Sequence, residues 1–154
     1  MRRFSVLIVI ITIFISCNSS NKRQIENVGL EESKIEGTWK LVYGEIREND
    51  SVVIKDLSKS DFIKIINQSH FAFFNQKPKT SEGFYGGAGT YELNGEDYVE
   101  TLEFIGAENI RNHKFPFKIK IKEDSLIQTG LEEVKEAGIK RYIVEKYVRL
   151  SHDK

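Results

Sequence analysis

Hydrophobic and polar residues alternate along several short segments of the chain. The clearest case is residues 115–121, which read Phe-Pro-Phe-Lys-Ile-Lys-Ile. Because successive side chains of a strand point to opposite faces, this period of two predicts a strand with one buried and one wet face. Residues 38–47 follow the same pattern, with Trp39, Leu41 and Tyr43 on one face and Lys40 on the other.

Further strand patterns follow at short intervals, and each is bounded by polar or glycine-containing turns. They cover residues 61–67, 70–75, 90–93, 98–105, 125–129 and 140–150. The strongest turn signal is Asn94-Gly95, the pair favoured in a type I′ hairpin. Residues 52–59 fit either a short strand or a turn of helix, and residues 130–138 fit a connector with one or two helical turns.

The pattern therefore predicts an all-β domain of eight strands over residues 35–150, in which the simplest order is up-and-down. Eight antiparallel strands can close into a barrel without free edges, with room for side chains or one small ligand. A two-sheet sandwich is the alternative. Three glycines, Gly86, Gly87 and Gly89, precede one strand, where they favour a bend or bulge.

The first residues are predicted to be a targeting segment rather than part of the fold. Arg2 and Arg3 precede an apolar run of twelve residues, Phe4 to Ile15, too short for a membrane-spanning helix. Ser16-Cys17 follows at once, and this arrangement resembles a bacterial lipobox. The resemblance implies a signal peptide over residues 1–16 and a lipidated Cys17, with residues 17–34 as a polar tether. Residues 151–154 form a polar tail.

Composition and motifs exclude several functions. The chain has 23 basic and 23 acidic residues, so it lacks the basic excess of a nucleic-acid-binding protein. It contains neither a Gly-x-Ser-x-Gly elbow nor a phosphate-binding glycine loop. His70, His113 and His152 are scattered without metal-ligand spacing. We therefore expect no catalytic residues, no metal site, no cofactor and no nucleic-acid partner.

Five segments together resemble those of small lipocalin-like, calycin-type bacterial lipoproteins of uncharacterised function. They are Gly37 to Leu41, Ser69 to Phe71, Gly89 to Tyr91, Tyr98 to Glu103 and Glu145 to Leu150. The resemblance implies an eight-stranded antiparallel up-and-down barrel on a protein anchored by lipid in the bacterial cell envelope, at the outer membrane. It also implies that Trp39 packs beneath Arg149 at one end of the barrel and closes it.

The inward faces follow from Trp39 pointing into the barrel. The apolar faces then place inside Tyr91, Leu93, Tyr98, Glu100, Leu102, Phe104, Phe115, Phe117, Ile119 and Ile121. In the last strand the more apolar face carries Tyr142, Val144, Val148 and Leu150, whereas the resemblance turns inward Ile143, Glu145, Tyr147 and Arg149. With the second choice, Glu100, Glu145 and Arg149 share one interior. Buried charges are costly unless paired, so we expect an Arg–carboxylate pair, or water and a ligand.

Six inward residues are the candidates for ligand binding: Tyr91, Tyr98, Glu100, Phe117, Tyr147 and Arg149. Phenols and a guanidinium would orient a polar head, and Phe117 would contact an apolar body, so the expected ligand is a small hydrophobic or amphipathic molecule. The alternative is a structural or interaction lipoprotein with a filled barrel, whose outer surface or rim binds an envelope protein. A core network that satisfies its own charges without any ligand also fits the sequence.

Overall fold

The computed structural model describes residues 34–151. The predictions on the signal peptide, on Cys17 with its tether and on the last tail residues lie outside this part of the chain. Two short 3₁₀ helices are described, Glu108–Ile110 and Lys135–Ala137. Nine strands are described: β1 Gly37–Glu48, β2 Ser51–Ile54, β3 Asp61–Ile66, β4 His70–Gln76, β5 Tyr85–Asn94, β6 Asp97–Ile105, β7 His113–Lys122, β8 Ser125–Val134 and β9 Ile139–Arg149.

Eight of these strands form a closed antiparallel barrel. From β3 to β9 each strand pairs with the next one in sequence, and β1 pairs with both β3 and β9 to complete the circle. The remaining strand, β2, pairs only with the last four residues of β1, whereas β3 pairs with the first four. The predicted all-β, up-and-down barrel is therefore confirmed, and every strand that closes it lies between Gly37 and Arg149.

Three local assignments are settled by the strand pairing. The ambiguous segment 52–59 begins in the short strand β2 and continues as a turn. The hairpin loop between β5 and β6 is Gly95-Glu96, because Asn94 already pairs with Asp97. The prediction that residue 130 begins a connector is wrong, since β8 runs on to Val134 beside β9.

A bulge in each of two strands reverses the alternation of inward and outward side chains. The β1–β9 register shifts between Leu41 and Tyr43, so Tyr43 faces outward, with the Lys146 ammonium 4.7 Å from the centre of its ring. The β5–β6 register shifts between Ala88 and Gly89, and Phe104 beyond it is 63% exposed. The inward placements of Tyr43 and Phe104 are therefore wrong, because an extra residue moves all later side chains to the other face.

The glycine segment lies within β5 rather than before a strand, and the bulge beside it has its extra residue, Glu103, in the partner strand β6. A Cβ atom at Gly89 would lie 1.8 Å from the Thr101 carbonyl oxygen, so only glycine fits where β5 and β6 approach so closely. The register shift therefore lies beside Gly89, a position where no side chain can be tolerated.

One end of the barrel, here called the closed end, is packed around Trp39, and a cavity of about 350 Å³ lies at its rim beside Lys34, Leu93 and Ile119. Its side chain is fully buried, and its Nε1 donates a hydrogen bond of 2.8 Å to the Ile35 carbonyl. The Arg149 guanidinium lies 4.1 Å from the centre of the indole ring, the arrangement that the lipocalin resemblance implies. Arg149 also donates to the carbonyl oxygens of Glu36 and, at 2.6 Å, Lys34. These contacts fasten the last strand to the residues that precede the first.

Candidate ligand-binding cavity

The other end of the barrel, here called the open end, contains a main cavity of about 450 Å³. It lies where β1, β4 and β8 end and where β5 and β9 begin. A side chamber of about 240 Å³ adjoins it, towards β6 and β7. Six residues line both spaces: Phe73, Tyr85, Glu100, Phe117, Glu132 and Arg141.

A buried ion pair forms the floor of the main cavity. Lys64 Nζ on β3 lies 2.5 Å from Glu100 Oε1 on β6, and it donates a second hydrogen bond of 2.9 Å to Gln128 Oε1 on β8. All three residues are buried, with Lys64 only 2% exposed. Because three strands on different sides of the barrel supply this network, it spans the interior and separates the filled closed end from the cavity above.

Three aromatic rings surround the Lys64 ammonium group. Its nitrogen lies 5.5 Å from the centre of the Phe71 ring, 5.7 Å from Tyr98 and 5.8 Å from Tyr147. Such cation–π contacts gain strength when water is excluded. The charge of Lys64 is therefore compensated by one carboxylate, one amide oxygen and three ring faces. Sequence reasoning missed this residue, although it shares a strand face with the apolar Phe62 and Ile66.

A second set of charges lies nearer the open end. The Arg141 Nε atom is 2.5 Å from Glu132 Oε2. Burial raises the pKa of the Glu132 carboxyl above its usual value, against the opposing effect of Arg141. On β9, which also carries Arg141, the Tyr147 hydroxyl donates a 2.5 Å hydrogen bond to Glu145 Oε2. Burial and then the Glu145 charge raise the pKa of the Tyr147 hydroxyl.

Lys55 brings a cation to the same end of the cavity. Its backbone nitrogen donates to the Gly44 carbonyl at 2.8 Å, which fixes the chain just after β2. The ammonium group lies 4.8 Å from the centre of the Phe62 ring. Within residues 34–151 it forms no ion pair closer than 4.0 Å. Burial lowers the pKa of the Lys55 ammonium, and Glu145 is the carboxylate that opposes this effect.

Three of the six predicted binding residues line the cavity and three do not. Glu100, Phe117 and Tyr147 line it. Tyr91 lies in the filled half, where its hydroxyl donates to the Asn67 carbonyl at 2.7 Å and its ring packs 5.2 Å from that of Tyr98. The fully buried Tyr98 also lies beneath the floor, and the neighbouring charge of Glu100 adds to burial in raising its pKa.

The charge pairing differs from the expectation. Glu100 pairs with Lys64 rather than with Arg149, because Arg149 is held at the closed end, where its nearest carboxylate is Asp124 at 3.5 Å. The inward face of the last strand follows the resemblance, since Ile143 and Tyr147 are buried. The expected Arg–carboxylate pair inside the barrel is formed instead by Arg141 and Glu132, which the sequence analysis did not select.

The structure thus defines an eight-stranded antiparallel β-barrel with a cavity at one end, an arrangement compatible with a lipocalin-like fold. Residues 34–154 match the family model described as a domain of unknown function, DUF4488, and the chain belongs to this family. No curated protein matches it. Within the described part, no group of three or more His, Cys, Asp or Glu residues is arranged to hold a metal ion. The same residues include no helix of the length and apolarity needed to cross a membrane.

Proposed function

We propose that this protein is a lipid-anchored, non-enzymatic protein of the bacterial cell envelope whose barrel binds a small amphipathic molecule. The observation that carries the proposal is the cavity at the open end. Its volume of about 450 Å³ is within the range of small-molecule sites, roughly 300–1,000 Å³. A core packed only for stability would leave few voids larger than a water molecule.

The lining supports an amphipathic rather than a purely apolar ligand. The side chamber is walled largely by apolar groups, among them Leu102, Ile105 and Phe115. The main cavity carries further charged groups that the side chamber lacks, among them Lys55, Lys64 and Glu145. A ligand with an apolar body in the side chamber and a polar head in the main cavity would match both surfaces.

The position of the chain entry supports an anchored orientation. Lys34 lies at the closed end, where its carbonyl accepts a hydrogen bond from Arg149. A lipid on Cys17 would therefore be attached to the barrel from the end opposite the cavity. The opening would face away from the anchor, which suits exchange of a ligand with the surrounding compartment. We propose the outer membrane as the location.

Native mass spectrometry of the chain from Asn18 onward tests ligand binding. We expect the purified protein to carry a small molecule that is lost when Ile143, on the cavity wall, is replaced by tryptophan. The matched control is Val144→Trp, because Val144 is the next residue of β9 and faces the other way. Absence of any bound mass, or equal retention by both variants, would contradict binding in this cavity.

Metabolic labelling with a radioactive fatty acid tests the anchor. The wild-type protein expressed in a bacterium should incorporate label and partition into detergent, whereas Cys17→Ser should do neither. Cys17 is the sole cysteine of the chain, so the substitution removes the only thiol. Label retained by Cys17→Ser would reject lipidation at this residue without affecting the proposal on the cavity.

An exposed aromatic cluster favours a second candidate, an interaction lipoprotein that binds an envelope protein through its outer wall. Phe74 and Phe84 stack with ring centres 6.3 Å apart beside the open end, and Phe104 lies next to the same surface depression. Exposed apolar clusters of this kind mark contact surfaces. Site-specific crosslinking from Phe84 in intact cells tests this candidate, with Lys118, which pairs with Asp97 at the other end of β6 from Phe104, as control.

A further inference from the structure

The charges that face the cavity balance one another. The lining contains three cations and three anions held inside, namely Lys55, Lys64, Arg141, Glu100, Glu132 and Glu145. Two further carboxylates at the rim already have local partners. Glu45 accepts hydrogen bonds from its neighbours Tyr43 and Arg47. Asp56 accepts from Ser58 and pairs with Lys59. The interior therefore has a net charge of zero.

Two of the three inner cations contact an inner carboxylate, and the third cation does not. Lys64 contacts Glu100 and Arg141 contacts Glu132, each at 2.5 Å. Lys55 and Glu145 do not meet in this way. The Glu145 carboxylate instead accepts the Tyr147 hydroxyl, and the Lys55 ammonium rests on the Phe62 ring. Lys55 and Glu145 are therefore a cation and an anion that face the same space near the opening without contacting each other.

We propose that the cavity selects amphipathic ligands with a zwitterionic head group, whose anionic end meets Lys55 and whose cationic end meets Glu145. This inference rests on the proposed binding function and names the ligand class for it. Burying a charge is costly unless an opposite charge accompanies it. A singly charged head would satisfy one of the two residues and repel the other, whereas a zwitterion compensates both and keeps the cavity neutral.

The neighbouring walls fix the orientation of such a ligand. Lys55 follows β2 at the open end, and Glu145 lies on β9 across from Gly44. The apolar chamber extends to the other side, towards Ile105 and Phe115. The head would therefore lie near the opening while the tail enters the chamber. The charged residues that the chamber also contains, Glu100, Glu132 and Arg141, already have charge partners.

Four probes with the same ten-carbon chain and different heads test the inference. They are decylphosphocholine, decylammonium, decanoate and decyl glucoside, each used below its micelle-forming concentration. Titration calorimetry uses the chain from Asn18 onward, which contains every strand of the closed barrel. We expect decylphosphocholine to bind at least about tenfold more tightly than each of the others, a ratio that corresponds to about 1.4 kcal/mol. Equal affinities would overturn the zwitterion inference and leave the binding function standing.

Charge variants test whether Lys55 and Glu145 bind the head group. Lys55→Glu should turn the preference towards decylammonium, and Glu145→Gln should turn it towards decanoate. The matched control is Lys118→Glu, which makes the same charge change on an exposed side chain that lines neither the cavity nor the side chamber. Lys55→Met provides a milder variant, for which the advantage of decylphosphocholine should be lost. Melting curves establish that each variant is folded.

The outcomes separate the two proposals. A preference order that is the same in wild type, Lys55→Glu and Glu145→Gln would reject these residues as the head-group site. A change in Lys118→Glu as large as that in Lys55→Glu would show a general effect of protein charge and would equally overturn the inference. If wild type binds none of the four probes, both the zwitterion inference and the proposed binding of amphipathic molecules fail.

Discussion

Replacement of Lys64 by methionine tests the floor of the cavity most directly. The Lys64 and Glu100 side chains are only 3% and 8% exposed. Methionine retains most of the lysine volume but leaves the Glu100 carboxylate buried without its cation. Removing one partner of a buried pair costs about 3–5 kcal/mol. That is a large share of a total stability of about 5–15 kcal/mol, so we expect a melting temperature lower by roughly 10–20 °C.

Urea unfolding followed by the fluorescence of Trp39, the sole tryptophan, measures the loss of stability. Lys64→Met combined with Glu100→Gln should recover most of it, because the double variant buries no uncompensated charge. The control is Lys118→Met, which removes a surface pair with Asp97 whose side chains are both 61% exposed. Its cost should stay below about 1 kcal/mol.

Two results would refute this reasoning. The first is a loss of stability for Lys64→Met no larger than that for Lys118→Met. The second is a double variant no more stable than Lys64→Met alone. The first would mean that water entering the cavity solvates the Glu100 carboxylate, and the second that the loss comes from the other contacts of Lys64. The ion pair would then not divide the barrel interior into a filled half and an open half.

Two further predictions concern the barrel wall and the buried acid. Gly89→Ala should strongly destabilise the fold because its Cβ would overlap the Thr101 carbonyl, whereas Gly106→Ala meets no atom within 4 Å and should change the melting temperature little; comparable shifts would contradict the close approach. Because the pKa of Glu132 is raised above 4.5, its stabilising contribution is fully present below that pH and is lost as pH rises through the raised pKa. The stability of wild type relative to Glu132→Gln should therefore increase from pH 7 to pH 4.5, and a constant difference in melting temperature would refute the shift.

The strands could be predicted from the sequence because one face of each is buried and the other is wet. This local rule correctly predicted that Glu100 and Phe117 point into the barrel, where both are buried. It failed for Tyr43 and Phe104, since each lies beyond a bulge. A bulge is set by how two distant strands must meet to close the barrel, and alternation within one strand carries no trace of it.

The charged residues of the cavity were harder to predict. Lys64 shares the apolar face of β3, which is the signal that was overlooked, but its partner Glu100 is 36 residues away and on another strand. Glu132 lies where the pattern indicated a connector, and its partner Arg141 lies at the start of the last predicted strand. Which carboxylate meets which cation depends on the register of the closed barrel, and that register is not visible in any single segment.

The contact between Arg149 and the Glu36 carbonyl joins residues 113 positions apart in the chain. Every other seam of the barrel joins strands that follow one another in sequence, except that the short strand β2 lies between β1 and β3. Contacts between distant residues form late, because the intervening loop loses entropy before any gain. We therefore expect the hairpins to form in order as the chain is synthesised. The barrel stays open until β9 pairs with β1. A chain that ends before β9 begins at Ile139 would keep two unpaired edges, the surfaces through which β-sheets aggregate.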